Sequence, residues 1–126
     1  MDERGFTLIE LIAAMMIVGV LAALALPAFL GQADEAHDAD AKADVRNAVS
    51  QMSACFAEPQ SYGPCPGPDH TLAPGVSLVT TADGTGYTAS RVSESGTTFE
   101  LDRGPSGVAR TCTRPGEGSC SADGSW

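Results

Sequence analysis

The chain has 126 residues, a mass of 12.9 kDa and a formal net charge of −9. This length allows one small domain, and the negative charge argues against nucleic-acid binding, because phosphates require a basic surface. The apolar residues are distributed unevenly. Residues 6–30 are almost wholly apolar, whereas the rest is rich in Gly, Pro, Ser, Thr, Ala and Asp and can bury only a small core. A core of that size usually needs disulfides.

The apolar segment at residues 6–26 is long enough to span a membrane as a helix. At 1.5 Å per residue it reaches about 31 Å, and the hydrocarbon core of a bilayer is about 30 Å thick. Glu10 lies within this segment, where an ionised carboxylate costs a few kcal/mol. The large apolar side chains offset that cost by a small margin, so insertion remains favourable.

Two general explanations account for the length of this segment but not for Glu10. A cleavable secretory signal would end at the small residues 31–33. Such signals begin with net positive charge, whereas the first five residues here carry two acids and one Arg. A permanent anchor for a small extracytoplasmic binding domain that never polymerises gives Glu10 no role.

The motif Gly-Phe-Thr-Leu-Ile-Glu at residues 5–10, followed by a long apolar run, resembles the N-terminal signal of type IV prepilins and the related pseudopilins. The resemblance covers residues 5–31. It implies that a prepilin peptidase cleaves between Gly5 and Phe6 and methylates the new terminal amine. It also implies that Glu10 pairs first with the amine of its own chain and then, during assembly, with that of a neighbouring subunit.

Two residues are expected to weaken the apolar helix. Gly19 and Pro27 match the flexible glycine and the proline kink of that family. A helical pattern resumes after Pro27, which predicts a kink rather than an end. Beyond it, apolar residues spaced three and four apart predict a face that packs on the rest of the domain: Val45, Ala48, Val49, Met52, Cys55 and Phe56. The acidic residues 34–44 predict a solvated helix face.

The remaining sequence predicts a small antiparallel sheet. Turn signals at Asp83-Gly84, Ser95-Gly96 and Gly104-Pro105 separate short β-prone runs, which lie at residues 76–81, 86–92, 97–102 and 107–112. Phe99 and Leu101 alternate with polar residues, which predicts that one face of the sheet packs on the helix. The predicted fold class is therefore α+β, a long N-terminal helix followed by an antiparallel β-meander, which is the element order of pilins.

The predicted organisation has three parts. Residues 1–5 form a leader peptide, residues 6–31 form the transmembrane and assembly half of the helix, and residues 32–126 form a globular head. The head is expected to contain a helix at 32–57, a loop at 58–75, an antiparallel sheet at 76–112 and a C-terminal disulfide loop at 112–126.

Four cysteines allow three disulfide pairings. We favour the two local pairs, Cys55–Cys65 and Cys112–Cys120, each of which stabilises the fold by on the order of 2.5–3 kcal/mol in the loop-entropy model. The first would pin the end of the helix to a Pro-rich loop, and the second would close a C-terminal loop. Zinc is the alternative, but the sequence lacks a Cys-x-x-Cys pair and His70 is isolated.

The sequence contains no nucleophile elbow and no phosphate-binding glycine loop. We therefore expect a protein that is not an enzyme and that uses no cofactor or metal. The resemblance implies a structural subunit that polymerises with copies of itself into a type IV pilus. The alternatives are a pseudopilin of a type II secretion or DNA-uptake system, and a membrane-anchored binding domain.

The resemblance also implies a location and partners. The precursor is expected to cross the cytoplasmic (inner) membrane once, with its head outside the cytoplasm, and then to enter an extracellular filament. Its partners would be other copies of the chain, the prepilin peptidase and an inner-membrane assembly platform for the pilus or for secretion. Adhesion, twitching motility and protein secretion are the roles that such filaments serve.

Overall fold

The computed structural model describes residues 5–68 and 70–126, which contain one long helix followed by a four-stranded sheet. The helix α1 spans Leu8–Phe56, and the strands are β1 at Val76–Thr80, β2 at Tyr87–Val92, β3 at Thr98–Gly104 and β4 at Gly107–Cys112. The predicted α+β class, with the helix before the strands, is confirmed. Residues 1–4 of the expected leader peptide lie outside the described residues.

Helix α1 is continuous through Pro27, as the pattern on either side of that residue predicted. Proline has no backbone N–H, so the carbonyl of Ala23, four residues earlier, receives no helical hydrogen bond there. The chain divides into two compact units between Ala33 and Asp34. The first unit is the apolar part of α1, and the second, called the head below, contains the rest of α1 and the sheet.

The strands form an antiparallel meander in the order β1-β2-β3-β4. Gly104 pairs with Gly107 across the hairpin between β3 and β4, so β3 runs two residues beyond its predicted end. The extension follows from the short connection, because a two-residue loop lets strand pairing continue up to the turn. The register aligns one row of side chains across the sheet: Leu78, Ala89, Leu101 and Arg110.

The core of the head lies between α1 and the inner face of the sheet. Val45, Ala48 and Met52 of the predicted helical face are buried, and Phe99 and Leu101 are buried on β3, as their alternation predicted. Aromatic contacts close one end of the core, with ring centroids 4.5 Å apart for Phe56–Tyr62 and 4.8 Å apart for Tyr62–Tyr87.

Two disulfides tie the irregular segments of the head to this core. They join Cys55 to Cys65 and Cys112 to Cys120, the two local pairings that the sequence favoured. Cys55 lies in the last turn of α1, so the first disulfide fixes the following loop to the helix end. The second closes the loop after β4, where Trp126 packs with its ring centroid 5.8 Å from that of Phe99.

The prediction that the acidic residues 34–44 form a solvated helix face is wrong for Asp38. Its side chain is fully buried, accepting a hydrogen bond of 2.5 Å from the Ser95 hydroxyl and one of 2.9 Å from the backbone N–H of Ser119. Asp38 therefore joins α1 to both the β2–β3 turn and the C-terminal loop. A side chain at Gly118 would collide with this carboxylate, and its φ of +53° also favours glycine.

Neighbouring charges complete the contact between α1 and the C-terminal loop. Lys42 donates a hydrogen bond of 2.6 Å to the carbonyl of Ser119. Burial raises the pKa of Asp38, but the hydrogen bonds from Ser119 and Ser95 and the charge of Lys42 outweigh that effect, so the pKa is lowered overall. Asp44 is also not fully solvated, because it forms an ion pair with Arg91 on β2.

Replacing Asp38 should destabilise the head in a pH-dependent manner. A pKa that is lower in the folded chain contributes stability above the unfolded value of about 4, and this contribution is lost as the pH falls through the folded pKa. We expect Asp38→Asn to lower the free energy of unfolding at pH 7 by about 2–3 kcal/mol. The difference from the unsubstituted chain should shrink below pH 4.

Urea unfolding of the full chain in detergent micelles, followed by the fluorescence of its single tryptophan, Trp126, measures this difference. Asp40→Asn is the matched control, because Asp40 is an exposed aspartate on the same helix. Equal losses of stability in the two variants, or a loss for Asp38→Asn that is the same at pH 3 and pH 7, would contradict the assignment.

Candidate functional site

The N-terminal unit exposes a large apolar surface. An 18-residue window of α1 has a mean hydropathy of 2.6, and the described residues contain one helix that is long and apolar enough to cross a membrane. The large apolar side chains between Phe6 and Leu30 are each 45–86% exposed. Complete burial of one such side chain stabilises a structure by about 1.5–3 kcal/mol. A bilayer or the helices of other chains would therefore bind this surface strongly.

The start of α1 is held by a reciprocal pair of hydrogen bonds between Thr7 and Glu10. The Glu10 carboxylate accepts hydrogen bonds from the Thr7 backbone N–H at 3.0 Å and from the Thr7 hydroxyl at 2.8 Å. The Glu10 backbone N–H in turn donates to the Thr7 hydroxyl oxygen at 3.3 Å. This arrangement is a capping box. Each of the two backbone N–H groups lacks a helical partner and donates instead to a side-chain oxygen of the other residue.

The sequence predicted that the helix begins at Phe6, but α1 begins at Leu8. The capping box explains this later start. Thr7 is the N-cap residue, and Phe6 precedes the helix with its side chain 86% exposed. The peptide bond between Gly5 and Phe6 therefore lies in non-helical backbone.

Two glycines of this region lie in open space among the described residues. A methyl group added at Gly5 or Gly19 would meet no atom of residues 5–68 or 70–126 within 4 Å. At Gly19 the missing side chain lowers helix stability by up to about 1 kcal/mol relative to alanine, as expected for a residue that weakens the helix.

The sites that sequence analysis considered for metal binding do not form among the described residues. Within residues 5–68 and 70–126, no three His, Cys, Asp or Glu side chains are arranged to hold a metal ion. His37 lies with its Nδ1 3.3 Å from a carboxylate oxygen of Glu94, as a partly exposed ion pair on the head.

The N-terminal part of the chain is similar to known proteins. Residues 1–26 match the family model described as the prokaryotic N-terminal methylation motif. The chain is 38% identical over 77 residues to the type IV major fimbrial protein FimA of Dichelobacter nodosus, covering 59% of this chain and 44% of that protein. It is 36% identical over 60 residues to the type IV major pilin protein PilA of Myxococcus xanthus, covering 48% and 27%. The N-terminal part of the chain therefore carries the methylation motif and is similar to type IV pilins and fimbrial proteins.

A third relative is the type IV narrow pilus major component PilA5 of Thermus thermophilus. The identity is 36% over 63 residues, covering 50% of this chain and 53% of the relative. The chain thus spans about half or less of the length of these three curated relatives. No solved structure matches it.

The pairing of Thr7 with Glu10 was not predicted from the sequence. A Thr followed three residues later by Glu, just before an apolar run, is the sequence signature of a capping box, and both residues were visible in the motif. In the described chain Glu10 accepts hydrogen bonds from Thr7, so its carboxylate has donors within its own first helical turn.

Removing the Thr7 hydroxyl should loosen the first turn of α1. Thr7→Val keeps the shape of the side chain but deletes the group that donates to Glu10 and accepts from its N–H, and losing an N-cap typically costs about 1 kcal/mol. We expect the backbone amides of residues 7 and 10 to exchange with solvent about fivefold faster, measured by NMR of the precursor in micelles.

Thr7→Ser is the control for this measurement, because serine retains the capping hydroxyl. It should exchange at the rate of the unsubstituted chain. If Thr7→Val and Thr7→Ser exchange equally at both positions, the capping box does not stabilise the helix start.

Proposed function

We propose that this chain is a prepilin whose mature form polymerises through the apolar half of α1 into a type IV pilus. A prepilin peptidase cleaves the bond between Gly5 and Phe6 and methylates the new amine. The observation that carries the proposal is the position of one carboxylate, Glu10, within an exposed apolar surface that begins one residue after a methylation-motif glycine. The naming of the relatives as major pilins or fimbrial proteins supports the same function.

Cleavage changes the electrostatics of the helix start. It creates a cationic amine on Phe6, one turn of backbone away from the Glu10 carboxylate. Opposite charges attract much more strongly in an apolar medium than in water. In the membrane this amine joins Thr7 as a partner of Glu10, and in the filament Glu10 receives the amine of a neighbouring subunit.

Removal of one member of a buried ion pair costs roughly 3–5 kcal/mol, because the other charge is left without a partner. This cost makes the pair a check on register: a neighbouring subunit that docks one turn too high or too low leaves both charges unpaired. The apolar side chains supply most of the binding free energy in any register, so the charge pair selects among registers that they alone would leave nearly equal.

The location and partners follow from this function. The precursor crosses the cytoplasmic membrane once through α1, with its head outside, where its two disulfides are stable in an oxidising compartment. Its partners are the prepilin peptidase, an assembly platform in the inner membrane and further copies of the chain. The names of the relatives favour a pilus over the pseudopilus of a secretion or DNA-uptake system.

The cleavage site is tested by substitution of Gly5. In cells that contain a prepilin peptidase, Gly5→Leu should leave the uncut precursor as the main species, at least about tenfold above its level in the unsubstituted strain. The described part of the fold tolerates a larger residue here, since an added Cβ would meet none of its atoms within 4 Å. Intact-mass spectrometry of the membrane fraction distinguishes the precursor from a chain that starts at N-methylated Phe6.

Gly19→Leu provides the matched control, because its Cβ also lies in open space and the substitution is the same. Normal cleavage of Gly19→Leu together with uncut Gly5→Leu supports the proposed site. A mature chain that starts at Phe6 in the Gly5→Leu strain would rule out recognition of this glycine.

The role of Glu10 is tested by the amount of filament. Glu10→Ala should be cleaved and inserted normally, yet yield at least about tenfold less filament in sheared surface material, because the neighbouring amine loses its buried partner. Glu58→Ala is the control, since Glu58 is an exposed glutamate of the head. Abundant filaments of Glu10→Ala, seen by electron microscopy, would refute the charge-pair mechanism.

A further inference from the structure

The strand β4 leaves part of the inner sheet face uncovered. All of its residues except Cys112 are exposed, although Arg110 and Val108 have the same strand parity as the buried Cys112 and point to the helix side of the sheet. Val108 is 51% exposed. The helix therefore covers the neighbouring strands but not the inner side of β4, where a surface remains between β4 and α1.

Two guanidinium groups meet one indole ring on this surface. The Cζ atoms of Arg46 on α1 and Arg110 on β4 lie 5.6 Å and 5.7 Å from the ring centroid of Trp126, within cation–π range. The indole is fixed from below, since its Nε1–H donates a hydrogen bond of 2.9 Å to the carbonyl of Glu100. We call Arg46, Trp126 and Arg110 the Arg–Trp–Arg patch.

The positive charge of this patch is not neutralised by the described part of the head. Among residues 5–68 and 70–126, the ion pairs within 4.0 Å are His37–Glu94, Arg91–Asp44 and Arg114–Glu117, so neither guanidinium of the patch has a carboxylate partner there. The rest of the head is acidic. Residues 34–126 contain thirteen acidic and six basic residues, a net charge of −7.

The chain itself carries a segment of complementary charge. Asp34, Glu35 and Asp40 are exposed on α1, and none of these carboxylates has a cation within 4.0 Å in the described residues. The other acidic residues of this helical segment are engaged, Asp38 with Ser95 and Ser119 and Asp44 with Arg91. The described part of the chain thus carries three carboxylates and two guanidinium groups that have no ion-pair partner within it. These opposite charges are suited to contact between two copies of the chain.

We propose that the Arg–Trp–Arg patch of one head binds the acidic segment 34–40 of a second copy of this chain. The inference rests on the proposed function, in which copies polymerise. Heads with a charge of −7 repel one another, and a local contact of opposite charge offsets that repulsion where the heads meet. Patch and segment are different surfaces, so the contact is head-to-tail and extends into a filament instead of closing as a dimer.

The experiment removes the charge of the patch in cells that assemble filaments. Arg46→Gln combined with Arg110→Gln should reduce the filament recovered by shearing at least about tenfold, because the lost contact recurs at every subunit. The control is Ser77→Glu combined with Val79→Glu, which changes the net charge by the same amount on exposed positions of β1, opposite neutral partners. This control should retain filaments within about twofold.

Exchanging the charges identifies the partner surface. Arg46→Glu with Arg110→Glu should abolish filaments, and adding Glu35→Arg with Asp40→Arg should restore them to within about threefold, at the original net charge. Trp126 fluorescence and urea unfolding of each purified variant in micelles identify any variant that has lost the folded head, and such a variant is replaced by the corresponding single substitution at Arg46 or at Arg110.

The outcomes separate this proposal from the proposed function. If the unsubstituted chain forms no filaments, the pilin function itself fails. If it forms filaments and the Arg→Gln variant forms as many, the patch makes no contact and the proposal is overturned. Loss of filaments without rescue by the charge exchange also overturns it, since the patch would then bind a different partner, such as an anionic lipid or a polyanion.

Discussion

The large apolar side chains between Phe6 and Leu30 are left exposed by the described residues of their own chain, and this constraint governs the rest of the molecule. Leaving them in water would cost on the order of tens of kcal/mol, far more than the stability of a small domain. A bilayer and a bundle of identical helices both remove that cost. Their similar apolarity means that transfer between them has a small free-energy change, so one charge pair at Glu10 can decide the register in the proposed filament.

The head is built to be stable with little apolar material. Its core contains one helical face, the inner side of a four-stranded sheet and a few aromatic rings. Two disulfides and the buried Asp38 carboxylate hold the loops that such a core could not order. Asp38 serves this purpose because it accepts hydrogen bonds from two segments that are distant in sequence, which no single apolar side chain could align in the same specific way.

The apolar segment and the head differ in the number of charges that they carry. A carboxylate is costly within the apolar segment. Glu10 is the one acidic residue there, and Thr7 donates hydrogen bonds to its carboxylate. On the head, charges are numerous and mostly negative, which favours solubility but opposes close packing of identical subunits. The Arg–Trp–Arg patch is a positively charged region on this negatively charged head. Its attraction for carboxylates matters most when many heads are held side by side.

The parts of the structure that depend on local sequence were predictable. Residue spacing identified the buried face of α1, turn signals divided the strands, and the short distances between cysteines favoured the pairs that form. The capping box was equally local, since Thr7 and Glu10 are three residues apart, although its signature was overlooked. Burial of Asp38 against Ser95 and the contact of Arg46 with Trp126 were not predictable, because each joins residues more than fifty positions apart. Polar residues carry no periodic signal for such contacts, and only the folded chain determines which of them lose their solvent.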